Sequence, residues 1–162
     1  MNSGFVLLLA LGIGIVAGLR SLTAPAVVAW AAHFGWIHLA GSPLAFMGSK
    51  WTAAVFTLLA LGELVADQLP GTPARTAAVG LSARIVTGAL CGASFAVAGG
   101  ASLWLGAVAG AIGGIAGAFG GYQARVGLVR ALRVPDFAIA IAEDMVELFA
   151  PLRGLNLDFE RD

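Results

Sequence analysis

Glu63 and Asp67 stand four residues apart, a spacing that puts two carboxylates on one helix face, where like charges repel unless something neutralises them. Glu143 and Glu147 repeat the spacing, with Asp144 one step round. Each pair closes an apolar segment, Leu58 to Gly62 in the first case and Ala138 to Ala142 in the second. A lone carboxyl group buried in apolar surroundings tends to hold a proton and is then a candidate relay. Arg20, after the first apolar run, and Arg84, just inside a later one, could each pair with a carboxylate. Three uses compete for these residues. Arg20, Glu63, Asp67 and Arg84 could form an ion-paired staple that fixes helix register. The same four, with Glu143 and Glu147, could line a polar site that binds or translocates a cation, a proton or a small solute. They could also be solvated helix ends, since Asp67, Gln68 and Pro70 belong to a loop. Glu63 is the deeper of the first pair.

Other chemistry finds little support. His33 and His38 are five apart, which does not stack them on one helix face, and no third ligand follows at metal-site spacing. Both read as structural or interfacial. A carboxylate metal site from Glu63, Asp67, Glu143 and Glu147 requires two halves of the chain to meet, so no metal and no cofactor are expected. The single Cys91 lies in an apolar run and supports neither a disulfide framework nor a cysteine cluster within one chain. Hydrolase, Walker and nucleotide fingerprints are absent; Gly12-Ile13-Gly14 lies in an apolar run without βαβ context. No enzyme activity is expected. Nine basic residues balance nine acidic ones with no basic patch, which argues against a nucleic-acid partner.

The elements that must position these residues are set by composition. Of 162 residues, 59% are hydrophobic, 23 are glycine and only 11% are charged. A chain this short buries about two-thirds of its surface, so a water-soluble core could not hide so much apolar material. That excludes a soluble globular enzyme, and intrinsic disorder fails for the same reason. The expected class is an all-α, polytopic membrane bundle with four strong spans: Gly4 to Leu19, Trp51 to Val65 extended by Glu63 and Asp67, Leu81 to Ala98, and Leu103 to Gly121. A barrel is disfavoured because the runs do not alternate at period two. The opening residues carry no positive n-region, so the first run is expected as a retained span. Residues 1–150 form one transmembrane domain and residues 151–162 a polar tail.

Gly41-Ser42-Pro43, Gly71-Thr72-Pro73 and Gly99-Gly100 are turn chemistry, Pro135 suits a helix start and Pro151 a stop. Trp36, Trp51 and Trp104 fall near span ends, where an indole keeps its N–H among headgroups. Gly106, Gly110, Gly113, Gly117 and Gly121 form a small-residue stripe, and Gly14 with Gly18 and Gly88 with Gly92 form two shorter ones, so close helix packing is expected within the chain or between subunits. The run from Gly14 to Arg20 is echoed by Gly114 to Gly120, and Glu63 to Asp67 by Glu143 to Glu147. If the short segments Ser21 to Phe34 and Tyr122 to Leu132 do not cross, the halves form an inverted repeat of the kind many transporters use. Ser21 could instead begin a full span that runs to Leu39. Tyr122 to Arg133, with Arg125, Arg130 and Arg133, suits an interfacial helix, although Arg125 could point back into the bundle.

Three stretches carry a family resemblance: Ala17-Gly18-Leu19-Arg20-Ser21-Leu22-Thr23-Ala24-Pro25, then Glu63-Leu64-Val65-Ala66-Asp67-Gln68-Leu69-Pro70-Gly71-Thr72-Pro73-Ala74-Arg75-Thr76, then Ala83-Arg84-Ile85-Val86-Thr87-Gly88-Ala89. On these the chain resembles the conserved domain of unknown function numbered 4126, a family of small bacterial integral membrane proteins, over most of its length to about Ala150. The family pattern has Lys after the Asp of the second motif, where this chain has Gln68. The resemblance implies a multi-pass protein of the bacterial inner membrane and nominates Arg20, Glu63, Asp67, Arg75 and Arg84, but it brings no established reaction. The leading expectation is a carrier or channel-like protein built as a homodimer through a glycine face. A structural or interaction subunit of a larger membrane complex is the alternative, docking through Val134 to Ala150 and the acidic tail. A lipid-modifying enzyme is third.

Overall fold

The computed structural model describes residues 2–66 and 78–132, with side chains described as far as residue 124. Within that range the fold is all-α, as the continuous apolar runs require. The helices are α1 (Ser3–Leu19), α2 (Thr23–His33), α3 (Lys50–Ala66), α4 (Ala78–Ala98) and α5 (Leu103–Leu132), with a 3-10 turn at Ala45–Gly48. Asp67, Glu143, Glu147, the turn at Gly71-Thr72-Pro73, the segment Val134 to Ala150 and the C-terminal tail lie outside the described residues. Two described helices are long and apolar enough to cross a bilayer, α4 and the Leu103–Ala124 part of α5. Four strong spans are therefore not supported among the described residues: α1 and α3 are 17 residues each, too short to qualify beside α4 and α5.

Local chemistry explains the boundaries. Asn2 caps α1, its side-chain oxygen accepting from the Gly4 N–H at 3.1 Å. The helix ends where Arg20 turns extended, at φ −137° and ψ 120°. α2 ends in a Schellman motif: Gly35 takes φ +78°, its N–H donates to Ala32 O, and the Trp36 N–H donates to Ala31 O. This overturns the full span from Ser21 to Leu39, because Gly35 turns the chain after eleven helical residues. α4 closes in the same way through Gly100 at φ +71°, whose N–H donates to Val97 O while the Ala101 N–H donates to Ala96 O, making the tight connection expected at Gly99-Gly100.

The glycines Gly120 and Gly121 do not act as a break. α5 runs through them without interruption to Leu132, so Tyr122 to Leu132 continues a 30-residue helix and is not a separate interfacial one. A glycine inside a helix costs about 1 kcal/mol of propensity but ends the helix only where it adopts the left-handed region, as Gly35, Gly41 and Gly100 do.

α1, α4 and α5 form a closely packed trio. α4 is antiparallel to both partners: Val6 of α1 lies against Gly99 just past the α4 end, and the α5 glycines Gly106, Gly110 and Gly114 sit on Gly92, Gly88 and Arg84. α1 and α5 are parallel, Gly110 meeting Gly14, and Gly114 and Gly117 meeting Gly18. The opposed halves expected from the sequence echo are therefore not found, since the two equivalent glycine helices point the same way. The reason is the return path. α2 and the segment 34–49 carry the chain back alongside α1, so α3 starts at the far end and also rises toward the end where α1 stops.

α3 meets the remaining described elements through α2 and the 3-10 turn. The Trp30 indole N–H donates to Thr57 Oγ1 at 2.9 Å, and Thr57 donates to its own Ala53 carbonyl, stitching α2 to α3. Met47, Val28, Ala53, Ile13 and Cys91 share the apolar core between this hairpin and the trio.

Candidate functional site

Where α1 stops and α2 starts, the helical ladder is interrupted at residues 20–22. Helix ends leave backbone groups without intrahelical partners, N–H groups at a start and carbonyls at a finish. Leu22, at the N-cap of α2, has no side chain able to take them. Glu63, near the end of α3, does so from outside. Its Oε1 accepts from the Ser21 N–H at 3.0 Å and from the Ser21 hydroxyl at 2.6 Å, and its Oε2 accepts from the Leu22 N–H at 2.9 Å. A negative carboxylate at a helix N-terminus is also favoured by the helix dipole.

Arg84 serves the other side of the same interruption. Its Nε donates to the Gly18 carbonyl in the last turn of α1 at 2.9 Å, and its Nη1 donates to Gly80 one turn earlier in α4, also at 2.9 Å. The residue is only 5% exposed and its backbone meets Gly114 of α5. A cation at a helix C-terminus is again the sign the dipole prefers. Arg20 and Ser21, inside the interruption, are both buried.

The structure thus brings Arg20, Glu63 and Arg84 to one end of the trio. Among the described residues, the hydrogen bonds of Glu63 run to the Ser21 amide and hydroxyl and to the Leu22 amide. Ser21, the Leu22 amide and the Gly80 carbonyl were missed by sequence reasoning. A clue for Ser21 lay in the sequence, since Ser21 and Thr23 flank the start of an α2 that carries Pro25 within its first turn. Gly114 was missed too, although Gly106, Gly110 and Gly114 at intervals of four mark the α4 face, separate from the Gly113 and Gly117 pair that faces α1. Gly121 is buried in α5, and the side chain of Arg125 is outside the described ones.

At the opposite end, His33 Nδ1 lies 3.1 Å from the Gly48 carbonyl and its ring packs against Trp30 and Phe34, while His38 is exposed. Among the described residues no group of three His, Cys, Asp or Glu side chains could hold a metal ion. Among the described residues the site is a helix junction to which Glu63 brings a carboxylate and Arg84 a guanidinium, with Arg20 buried inside it. Its three contributing stretches, residues 18–22, Glu63 and residues 80–84, coincide with the motifs conspicuous in the sequence.

The family model described as Domain of unknown function (DUF4126) matches residues 7–150. The chain belongs to that family. The match takes in every part of the junction, so the broken α1–α2 unit, the capping carboxylate and the buried guanidinium all fall inside the DUF4126 domain. No curated protein and no solved structure matches the chain.

Proposed function

We propose that the protein is a small multi-pass membrane protein in which α4 and α5 cross the bilayer, α1 and α3 run from one face to the junction inside it, α2 with residues 34–49 makes a broken return, and the α2–α3 hairpin moves against the trio to carry a small solute, a cation or a proton. The observation that supports this is the Glu63 contact. One carboxylate near the end of α3, a helix with a single buried residue, ties that helix to the break after α1 and to the start of α2. Broken helices whose ends meet polar groups inside the bundle are how many carriers build a site. A proton taken up by Glu63 would remove its charge and weaken acceptance from Ser21 and Leu22, freeing the hairpin to shift. A homodimer would extend the pathway beyond what one chain this small encloses.

The test is flux of protons or monovalent cations into liposomes holding the purified protein, compared with Glu63→Gln. Flux that disappears in the variant while helical content at the assay temperature stays at the wild-type level supports a carrier. Absence of flux in the wild type favours the second reading, a structural or interaction subunit. That reading has its own support, because Glu63 and Arg84 each hold neighbouring segments together, Ser21 and Leu22 in one case and Gly18 and Gly80 in the other, as a fixed staple does. Recovery of one stoichiometric membrane partner would identify the complex it serves.

A further inference from the structure

Seen from outside the trio, α5 presents Trp104, Val108, Ile112, Ile115, Phe119 and Tyr122, all exposed and spaced by three or four residues, so they make one stripe along the helix. The glycines of α5 that touch α1 and α4 are on the other side. The stripe opens on a tryptophan and closes on a tyrosine, the two side chains that favour the headgroup level of a bilayer. From Trp104 to Tyr122 is eighteen helical steps, about 27 Å at 1.5 Å per residue. The hydrocarbon layer of a bilayer is about 30 Å thick.

We propose that this stripe is an acyl-chain face, that Trp104 and Tyr122 mark the two headgroup levels, and that the Arg84–Gly18 junction therefore lies in the hydrocarbon interior, near its middle. The inference rests on the membrane placement proposed above. Gly114, against which the Arg84 backbone packs, is ten steps from Trp104 and eight from Tyr122, about 15 Å and about 12 Å. At that depth water cannot satisfy a guanidinium, and the carbonyls of Gly18 and Gly80 do so instead. The interrupted backbone beside it is tolerated at membrane depth only where protein covers it, and Arg20 and Ser21 are buried. Lipid is favoured over a second copy of the chain as the occupant of the stripe. Helix pairs in lipid associate through small residues, and Gly106, Gly110, Gly113, Gly114 and Gly117 of α5 already meet α1 or α4, whereas the stripe between Trp104 and Tyr122 is Val, Ile and Phe.

The experiment places a nitroxide on the full chain at Trp104→Cys, Ile115→Cys, Tyr122→Cys and Val86→Cys, one at a time, in phosphatidylcholine vesicles. Native Cys91 is buried, and all four positions are exposed. Collision with oxygen, which partitions into lipid, is compared with collision with a water-soluble nickel chelate. The ratio is expected to be several-fold higher at Ile115 and Val86 than at Trp104 and Tyr122. Val108→Cys and Phe119→Cys bracket the profile if one variant fails to assemble. A ratio rising steadily from 104 to 122, or Val86 as shallow as Trp104, would overturn the assigned depth. Low oxygen collision at Ile115 with spin–spin broadening would mean that a second copy covers the stripe, and would overturn it too. Equal, high nickel collision at every position would instead sink the membrane placement itself.

Discussion

Glu63 is the residue on which the junction turns. Its carboxylate accepts three hydrogen bonds, two from backbone amides, and a carboxamide can accept through one oxygen only, its NH2 group facing donors instead. Glu63→Gln is expected to cost about 1–3 kcal/mol of stability, measured by thermal or denaturant melting in detergent. Ser21→Ala, which removes the hydroxyl and leaves both amide contacts, should cost less, about 1 kcal/mol. Equal losses in the two variants would show that the amide contacts contribute nothing. Arg84→Lys keeps the positive charge but not a planar fork that reaches two carbonyls at once, so it is expected to destabilise by about 1–3 kcal/mol in the same assay. Arg20, Glu63 and Arg84 stood out in the sequence because a charged group beside an apolar run has few cheap places to sit. Their partners were not. A carboxylate that caps a helix forty residues away leaves no mark at its own position, and a backbone amide has no identity in a sequence.

At the scale of elements, helix ends and helix contacts both depend on a few glycines. Gly35→Ala puts a Cβ into the left-handed region and is expected to cost about 1–2 kcal/mol and to fray the end of α2, seen as faster amide exchange at Ala31 to Phe34. Gly110, matched by Gly117, is one of the tightest seats in the trio. A Cβ there would overlap the Gly88 carbonyl, and its own carbonyl is pressed by Gly14 and Gly88. Gly110→Ala should therefore destabilise by about 1–3 kcal/mol despite alanine's better helix propensity. Gly12, which meets nothing within 4 Å, is the control: Gly12→Ala should be neutral or stabilising by up to about 1 kcal/mol. The glycine stripes were readable from spacing, since intervals of three and four are the geometry of one helix face. What spacing could not give is which helix each stripe meets, nor that one apparent stripe on α5 is two. The break after Gly121 was misjudged because a pair of glycines reads the same whether or not the backbone adopts positive φ.

Taken whole, the described chain has a fixed part and a hung part. The trio is joined backbone to backbone, while α3 has one buried residue, Ala53, and is attached through α2, the 3-10 turn and Glu63. Amide exchange in detergent should follow this division, with α3 exchanging at least tenfold faster than the matching turns of α4 and of α5 up to Gly117. Uniform protection across all four helices would remove the basis for a moving hairpin. The helical class was legible from composition alone, because only continuous helices accommodate such long apolar runs. The direction of each helix was not, since that depends on how far α2 carries the chain back before Gly35 turns it.

The parallel pairing of α1 with α5 has a consequence for biosynthesis. Neighbours that run the same way cannot be joined by a tight hairpin, and α1 leaves the ribosome first while its glycine seats are on a helix made much later. Gly14 and Gly18 therefore reach their final packing only after α5 is made, so α1 is expected to settle late in folding.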